Sequence, residues 1–396
     1  MANSLSNIMP KILARGLMAL RQVVVMPRLV NGSYSSEAAE KGDTIDIPKS
    51  VAVTTSAVAP SNTPPAGSDT TPTKVQIALD NWQQNDAFYL TDKELTEVDR
   101  NKHFVPMQVS EAVKALASDV NNDIMQEYKG VYAAVGTAGT TPFASDATSI
   151  ISARGALHKM LAPRNDRRFV LDVDAEANAL ALATFSDFEK TGDAAVKIEG
   201  EMGRKYGFDW FYEDDVLTHT AGTIDNGSGA ATCLVNVALA AGATTMNVDG
   251  STLTGTVVQG DLFSFAGLTD NGVSGTAHFV VTNTSAVTAA GDAMTGITFA
   301  PALPSIIADN TVVTFEASHV VNMAFHRDAI GFATRPLVSN TLDVALGSEI
   351  MSMQDPQTGL VLRLEVSRQH KRTAWEFDIL WGAKLIRPEL VCRVLG

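Results

Sequence analysis

Few residues of this chain have types and spacings that chemistry could use. Asp172 and Asp174 stand two apart at the end of an apolar run, a spacing seen in some metal sites. A simpler role is at hand, with Asp174 capping the helix that follows. The seven histidines are scattered and form no H-x-x-x-H or paired motif. His319 and His326 are seven apart and would share one helical face, but two imidazoles without a third ligand are a weak zinc signature. They read as core or interface histidines. Cys233 and Cys392 are too distant in sequence for a metal cluster or a disulfide framework, and Cys233 reads as a small core residue. Gly200, Gly203 and Gly207 lack the spacing of a phosphate-binding loop. No Gly-x-Ser-x-Gly elbow occurs. Arg164, Arg167 and Arg168 form a basic cluster without interleaved aromatics, so it reads as a solvated face or one that pairs with a neighbouring subunit. No catalytic, cofactor-binding or metal-ligating residue is assigned, and no enzyme is expected.

The elements around these residues are more informative. Ile8, Ile12, Leu13, Leu17 and Leu20 share one helical face, with Lys11 and Arg15 off it. Together with Arg21 and Arg28 they make a basic amphipathic start, read as an arm that packs on its own domain or on a neighbour. Lys11, Arg15 and Arg21 interrupt the apolar residues, which argues against a signal peptide. Asp43 to Pro48 and Val75 to Leu79 alternate polar and apolar, as strands do, with Pro48 closing the first. The Ser/Thr stretch between them holds Pro60, Pro64, Pro65 and Pro72 and buries little by itself, so the pair predicts a long hairpin with a projecting tip. Val109, Val113, Leu116, Val120, Ile124 and Tyr128 predict a helix from Pro106 to Lys129, a rod of roughly 36 Å. A helix over 147–160, strands over 168–173 and 207–212, and a helix between them point to a mixed α+β domain.

The chain has 396 residues, which at roughly 150 per domain suggests two to three domains. Its formal net charge is -14, which disfavours a surface that wraps nucleic acid throughout. No apolar run is long enough to span a membrane as a helix. Between Tyr206 and His326 the composition changes abruptly: no Lys or Arg occurs, and Gly, Thr, Ala and Val dominate. Short alternating runs separated by turn signals such as Asp249-Gly250 and Asn271-Gly272 predict a small all-β barrel or sandwich at 218–318, inserted into a loop of the α+β domain. Val361 to Val366, Ala374 to Leu380 and Ala383 to Ile386 predict three closing strands that finish the main sheet.

In this order the elements resemble the major capsid proteins of tailed bacteriophages, and more narrowly the P22-type coat protein family. The resemblance rests on the arm Asn3 to Val30 and on Gly42-Asp43-Thr44-Ile45-Asp46-Ile47-Pro48. It continues through the helix Pro106 to Tyr128, Gly207-Phe208-Asp209-Trp210-Phe211-Tyr212 and His219-Thr220-Ala221-Gly222. His326-Arg327-Asp328-Ala329-Ile330 then resumes the main domain. The end, Lys371-Arg372-Thr373 through Leu380-Trp381-Gly382 and Arg387-Pro388-Glu389, is its most specific part.

The resemblance implies an HK97-like fold of α+β class. An N-terminal arm would occupy 1–35 and an E-loop hairpin 36–92. A P-domain with the spine helix would use 93–145 and 346–396, and an A-domain 146–217 and 319–345. The inserted β domain, 218–318, would match the family's I-domain. It also implies self-assembly into pentamers and hexamers of an icosahedral shell around dsDNA, held without sequence-specific binding. A separate scaffolding protein and a portal protein are the implied partners, with no membrane; whether a decoration protein binds outside is left open. The shell would be built in the bacterial host cytoplasm and remain in the virion. No Lys–Asn crosslinking pair is placed. The candidate contacts between subunits are Lys11, Arg15, Arg21 and Arg28 of the arm, Arg164, Arg167 and Arg168, and Asp225, Asp249, Asp270 and Asp292 of the insertion. An insertion without cations must find its ion-pair partners outside itself. The alternative on the same fold is an encapsulin-like compartment; an enzyme with an appended β domain and an adhesin are the remaining readings.

Overall fold

The computed structural model describes residues 9–34, 44–49, 72–94, 107–186, 202–224, 233–336, 348–355 and 358–396, with a few single positions in 55–62. Helix α1 (Met9–Val23) buries Ile12, Leu13, Leu17 and Leu20, the face the periodicity selects. A short turn of helix, α2 (Met26–Leu29), follows; Pro27 sits in its first turn, where a missing N–H costs nothing. α1 packs on its own domain. Gly16 makes this possible: a Cβ there would come within 3.2 Å of both Leu362 and Val113.

The long helix α3 (Met107–Gln126) is about 30 Å of rod. It buries Val109, Val113, Leu116, Val120 and Ile124 along one stripe, as the spacing requires. The α-helix ends before the expected Lys129 and tightens into a 3-10 turn, Glu127–Gly130, which buries Tyr128. Pro106 and the tip of the predicted hairpin lie outside the described residues. The hairpin's base is described: β1 (Thr44–Lys49) pairs antiparallel with β2 (Thr73–Ala78), Thr44 opposite Ala78. Pro48 lies inside β1 rather than closing it, opposite Lys74.

One sheet is built on β22 (Arg372–Leu385). The two strands expected over 374–386 are this single strand, and Gly382 does not break it. β22 pairs with β21 (Val361–Gln369), which pairs with β20 (Ser348–Gln354). It also takes β3 (Asn81–Gln84), β4 (Phe88–Thr91) and β19 (Ile330–Thr334). A second sheet runs β5 (Ala134–Gly136), β23 (Val391–Leu395), β18 (His319–His326), β6 (Arg167–Leu171), β8 (Phe208–Tyr212), β7 (Arg204–Lys205). β9 (Thr218–His219) also pairs with β18. The sheets divide the chain differently from the expected segments. β5 and β23 sit with β6 and β8, so 93–145 and 346–396 each feed this second sheet, while β19, within 319–345, belongs to the first. The reason is burial: all five residues of β23 are buried, so it occupies a central position between β5 and β18.

Helix α4 (Thr148–Lys159) and helix α5 (Val173–Ala181) flank this sheet. α5 is capped by Asp172, whose carboxylate accepts from the backbone N–H of Asp174 and Ala175, so the cap is not Asp174. His319 and His326 do not share a helical face; they end the strand β18.

Among the described residues, 233–315 hold only strands and loops and have a core of their own. Six strands follow the order β10 (Leu234–Val235), β11 (Thr245–Asp249), β16 (Ala293–Ala300), β14 (His278–Val281), β13 (Leu262–Phe265), β17 (Val313–Phe315). A bridge between Leu234 and Val312 joins the two ends of that order, so the sheet closes into a barrel and hides its edges. A small pair, β12 (Thr256–Val257) with β15 (Val287–Thr288), lies beside it. Phe263, Phe265, Phe279, Phe299 and Phe315 fill the interior. Strand alternation turns Leu262 and Val280 the other way, and both join the core of the main domain.

Candidate functional site

A buried polar seam joins the barrel to the main domain. The Tyr128 hydroxyl lies 2.9 Å from His219 Nδ1, and His219 Nε2 lies 2.8 Å from Asp261 Oδ1. A carboxylate only accepts, so Nε2 carries the proton toward Asp261 and Nδ1 receives the Tyr128 hydroxyl. Asp261 also accepts from the backbone N–H of Gly222 at 3.2 Å and of Val258 at 2.8 Å. Arg393 reaches across from β23, donates to the Gly260 carbonyl at 2.9 Å, and stacks its guanidinium 4.9 Å from the Tyr128 ring centroid. Burial pushes Arg393 down to about 9, so it stays charged at neutral pH. The His319 ring lies 5.3 Å from that of His219. Its Nδ1 donates to the Ala317 carbonyl, which leaves Nε2 buried with its lone pair unmatched. Burial pushes His319 down to about 4, and Arg393 and His219 act in the same direction.

Hydroxyl, imidazole and carboxylate in line are the order of a nucleophilic relay. Here the hydroxyl is phenolic and 4% exposed, and burial raises its pKa. The arrangement links Asp261 and Gly260 of the barrel to Tyr128, His219 and Arg393 of the main domain, a latch between the two. A second contact helps: Lys159 at the end of α4 lies 3.7 Å from Asp270 of the barrel.

The parallel strands β6 and β8 separate charge. At their starts lie Arg164, Arg168, Arg204 and Arg327, with Arg154 donating to the Tyr206 carbonyl. At their ends lie Asp172, Asp174, Glu176, Glu213, Asp214 and Asp215. Glu213 is 5% exposed and accepts from Asn121 Nδ2 of α3, whose own Oδ1 accepts from the Met26 N–H. Burial, then repulsion from Asp215, pushes the Glu213 carboxyl up to about 7.

The sequence-predicted contact residues fall apart into several places. Arg15 is exposed on α1, and the side chains of Lys11 and Arg21 lie outside the described residues. Arg28 donates to the Val24 carbonyl. Arg164 is exposed, and Arg168 is half-buried and donates to the Arg28 carbonyl. Arg167 is not a surface contact: it is buried and spends its donors on the carbonyls of Pro163 and Ala162. Asp225 lies outside the described residues. Asp249 is half-buried and Asp292 is exposed. Asp270 finds its cation outside the insertion, in Lys159 of the same chain. Cys233 is a core residue of the barrel, and burial pushes its thiol up to about 12.

Sequence reasoning missed the seam. Arg393 is the signal that could have found it, a lone cation inside Val391-Cys392-Arg393-Val394-Leu395. Among the described residues, no group of three or more His, Cys, Asp or Glu is placed to hold a metal ion. Among them, no helix is long and apolar enough to cross a membrane.

No family model matches the chain, and no curated protein matches it. Solved structures do. A chain of Mycobacterium phage Che8 is similar over 94% of this chain and 90% of that one, at 15% identity and a TM-score of 0.50. The capsid structure of the cyanophage P-SCSP1u is similar over 94% and 88%, at 12% identity and a TM-score of 0.48. The capsid of bacteriophage PhiM1 is similar over 90% and 82%, at 10% identity and a TM-score of 0.44. The likeness to the Che8 chain is one of fold, and it gives this chain a fold shared with a phage protein.

Proposed function

We propose that this chain is the major capsid protein of a tailed bacteriophage. Copies assemble into pentamers and hexamers of an icosahedral shell that encloses dsDNA. The single observation that carries the reading is the fold likeness to the Mycobacterium phage Che8 chain over nearly the whole length. The expected parts support it: an arm seated on the spine helix, a hairpin base beside the β22 sheet, and a barrel in one loop. In HK97 terms these are the N-arm, E-loop, P-domain and inserted domain of the P22-type family, with the β6 sheet as A-domain. Scaffolding and portal proteins are the partners that go with that reading, and the shell would be built in the host cytoplasm.

The acidic chain suits a container. Tightly packed DNA must slide during filling, and a strongly basic wall would hold it by counterion release. The test is expression of the chain alone and with the scaffolding protein of the same phage, imaged by negative-stain electron microscopy. Closed shells of uniform size with the partner are expected. Monomers or small oligomers under every condition overturn the reading.

A further inference from the structure

The charge separation along β6 and β8 has a partner built into the chain itself. β6 is five residues long, so its two ends lie roughly 15 Å apart. At the starting end, Arg164 and Arg327 are exposed, and Arg154 and Arg204 stand beside them. Asp166, Asp209 and Asp328 share this end and leave it net basic. Leu161 projects from the same end, 89% exposed. At the finishing end the exposed carboxylates are Asp174, Asp214 and Asp215, with Glu176 half-buried. The charged neighbours that act on Glu176 and Glu213 are all carboxylates. Val173 and Tyr212, 51% and 58% exposed, are the apolar counterparts of Leu161 there.

We propose that the Arg164/Arg327 end of this sheet in one copy docks on the Asp174/Asp214 end of the next copy, a head-to-tail contact that closes into a ring. The inference rests on the shell reading and deepens it by naming the surfaces. The two charge groups lie at opposite ends of the parallel strands, so a two-fold contact made through either end alone would set like against like. The arrangement suits a heterologous contact, which continues around a ring until it closes. Single exposed pairs are weak, and the ring multiplies them while Leu161, Val173 and Tyr212 supply apolar contact.

Charge reversal tests this. One variant carries Arg164→Glu and Arg327→Glu; a second carries Asp174→Lys and Asp214→Lys; a third carries all four changes. Unaltered urea unfolding of the unassembled chains checks that each folds. Assembly is followed by sedimentation and electron microscopy beside the wild type. Each two-change variant is expected to lose assembly at low salt, because the changed residues then face residues of their own sign across the contact. The four-change variant is expected to recover it. Mixing the two two-change variants is expected to give rings of alternating copies, which close only with even numbers, so hexamers form and pentamers do not. If the wild type assembles and each two-change variant assembles equally well, this inference fails and the shell reading stands. If the four-change variant and the mixture both stay unassembled while folded, the pairing of these ends is wrong. A wild type that never assembles overturns both.

Discussion

The Glu213 carboxyl ties three elements together through Asn121 and Met26, and its protonation state controls their stability. In the fold its pKa is pushed up to about 7 from 4.5, first by burial and then by Asp215. A carboxyl raised in this way binds its proton more tightly in the folded chain than in the open one. Its contribution is fully present below pH 4.5 and is lost as pH rises through about 7. The gap corresponds to roughly 3 kcal/mol. Glu213→Gln removes the titration and keeps an oxygen for Asn121. The variant should match the wild type near pH 4.5 and exceed it by roughly 3 kcal/mol above pH 7.5. The assay is urea unfolding of the unassembled chain across that range, followed by tryptophan fluorescence. Trp82, Trp210, Trp375 and Trp381 all lie outside the barrel, so the signal reports the domain that holds Glu213. A difference that stays constant with pH, or a variant weaker than the wild type at pH 7.5, would refute the reasoning.

Two further outcomes are expected. His319 is pushed down to about 4 from 6.5, so its neutral form is the one the fold keeps; stability should fall as pH drops through that window, by roughly 3 kcal/mol in total. Urea unfolding of His319→Gln should show a flatter acid limb, and an unchanged limb would remove His319 from the latch. Gly382 lies under the hairpin base, where a Cβ would stand 2.0 Å from the Ala78 carbonyl oxygen. Gly382→Ala should displace β2 and lower stability by about 1–3 kcal/mol, with faster tryptic cleavage at Lys49 and Lys74 as the readout. Unchanged cleavage and melting would show that the strands absorb the methyl group.

The periodic elements were legible because local spacing alone defines them. The stripe Val109 to Ile124, the alternation of Thr44 to Lys49 and the cation-free insertion each state a shape within a short window. Element ends were read less well, since caps depend on which neighbour takes an orphan N–H. Asp172 and Asp174 are equally good in sequence, and the extended backbone at Asp172, with its carboxylate on the N–H groups of Asp174 and Ala175, makes Asp172 the cap. The two strands expected around Gly382 are one because β22 is held along its length by β3, β4, β19 and β21.

By itself, the sequence determined that a basic arm, a hairpin, a long helix and an inserted β domain follow in that order, because burial patterns repeat with the period of the backbone. Tertiary structure decided where charges go. It buried Arg167 against its own carbonyls, set Arg393 beneath the barrel, and joined Tyr128, His219 and Asp261 across positions far apart in sequence. It also gathered Arg164 with Arg327, and Asp174 with Asp214, at opposite ends of one pair of strands. Long-range pairing of strands leaves no local spacing behind, so a polar site built across it is written in the sequence only as isolated residues.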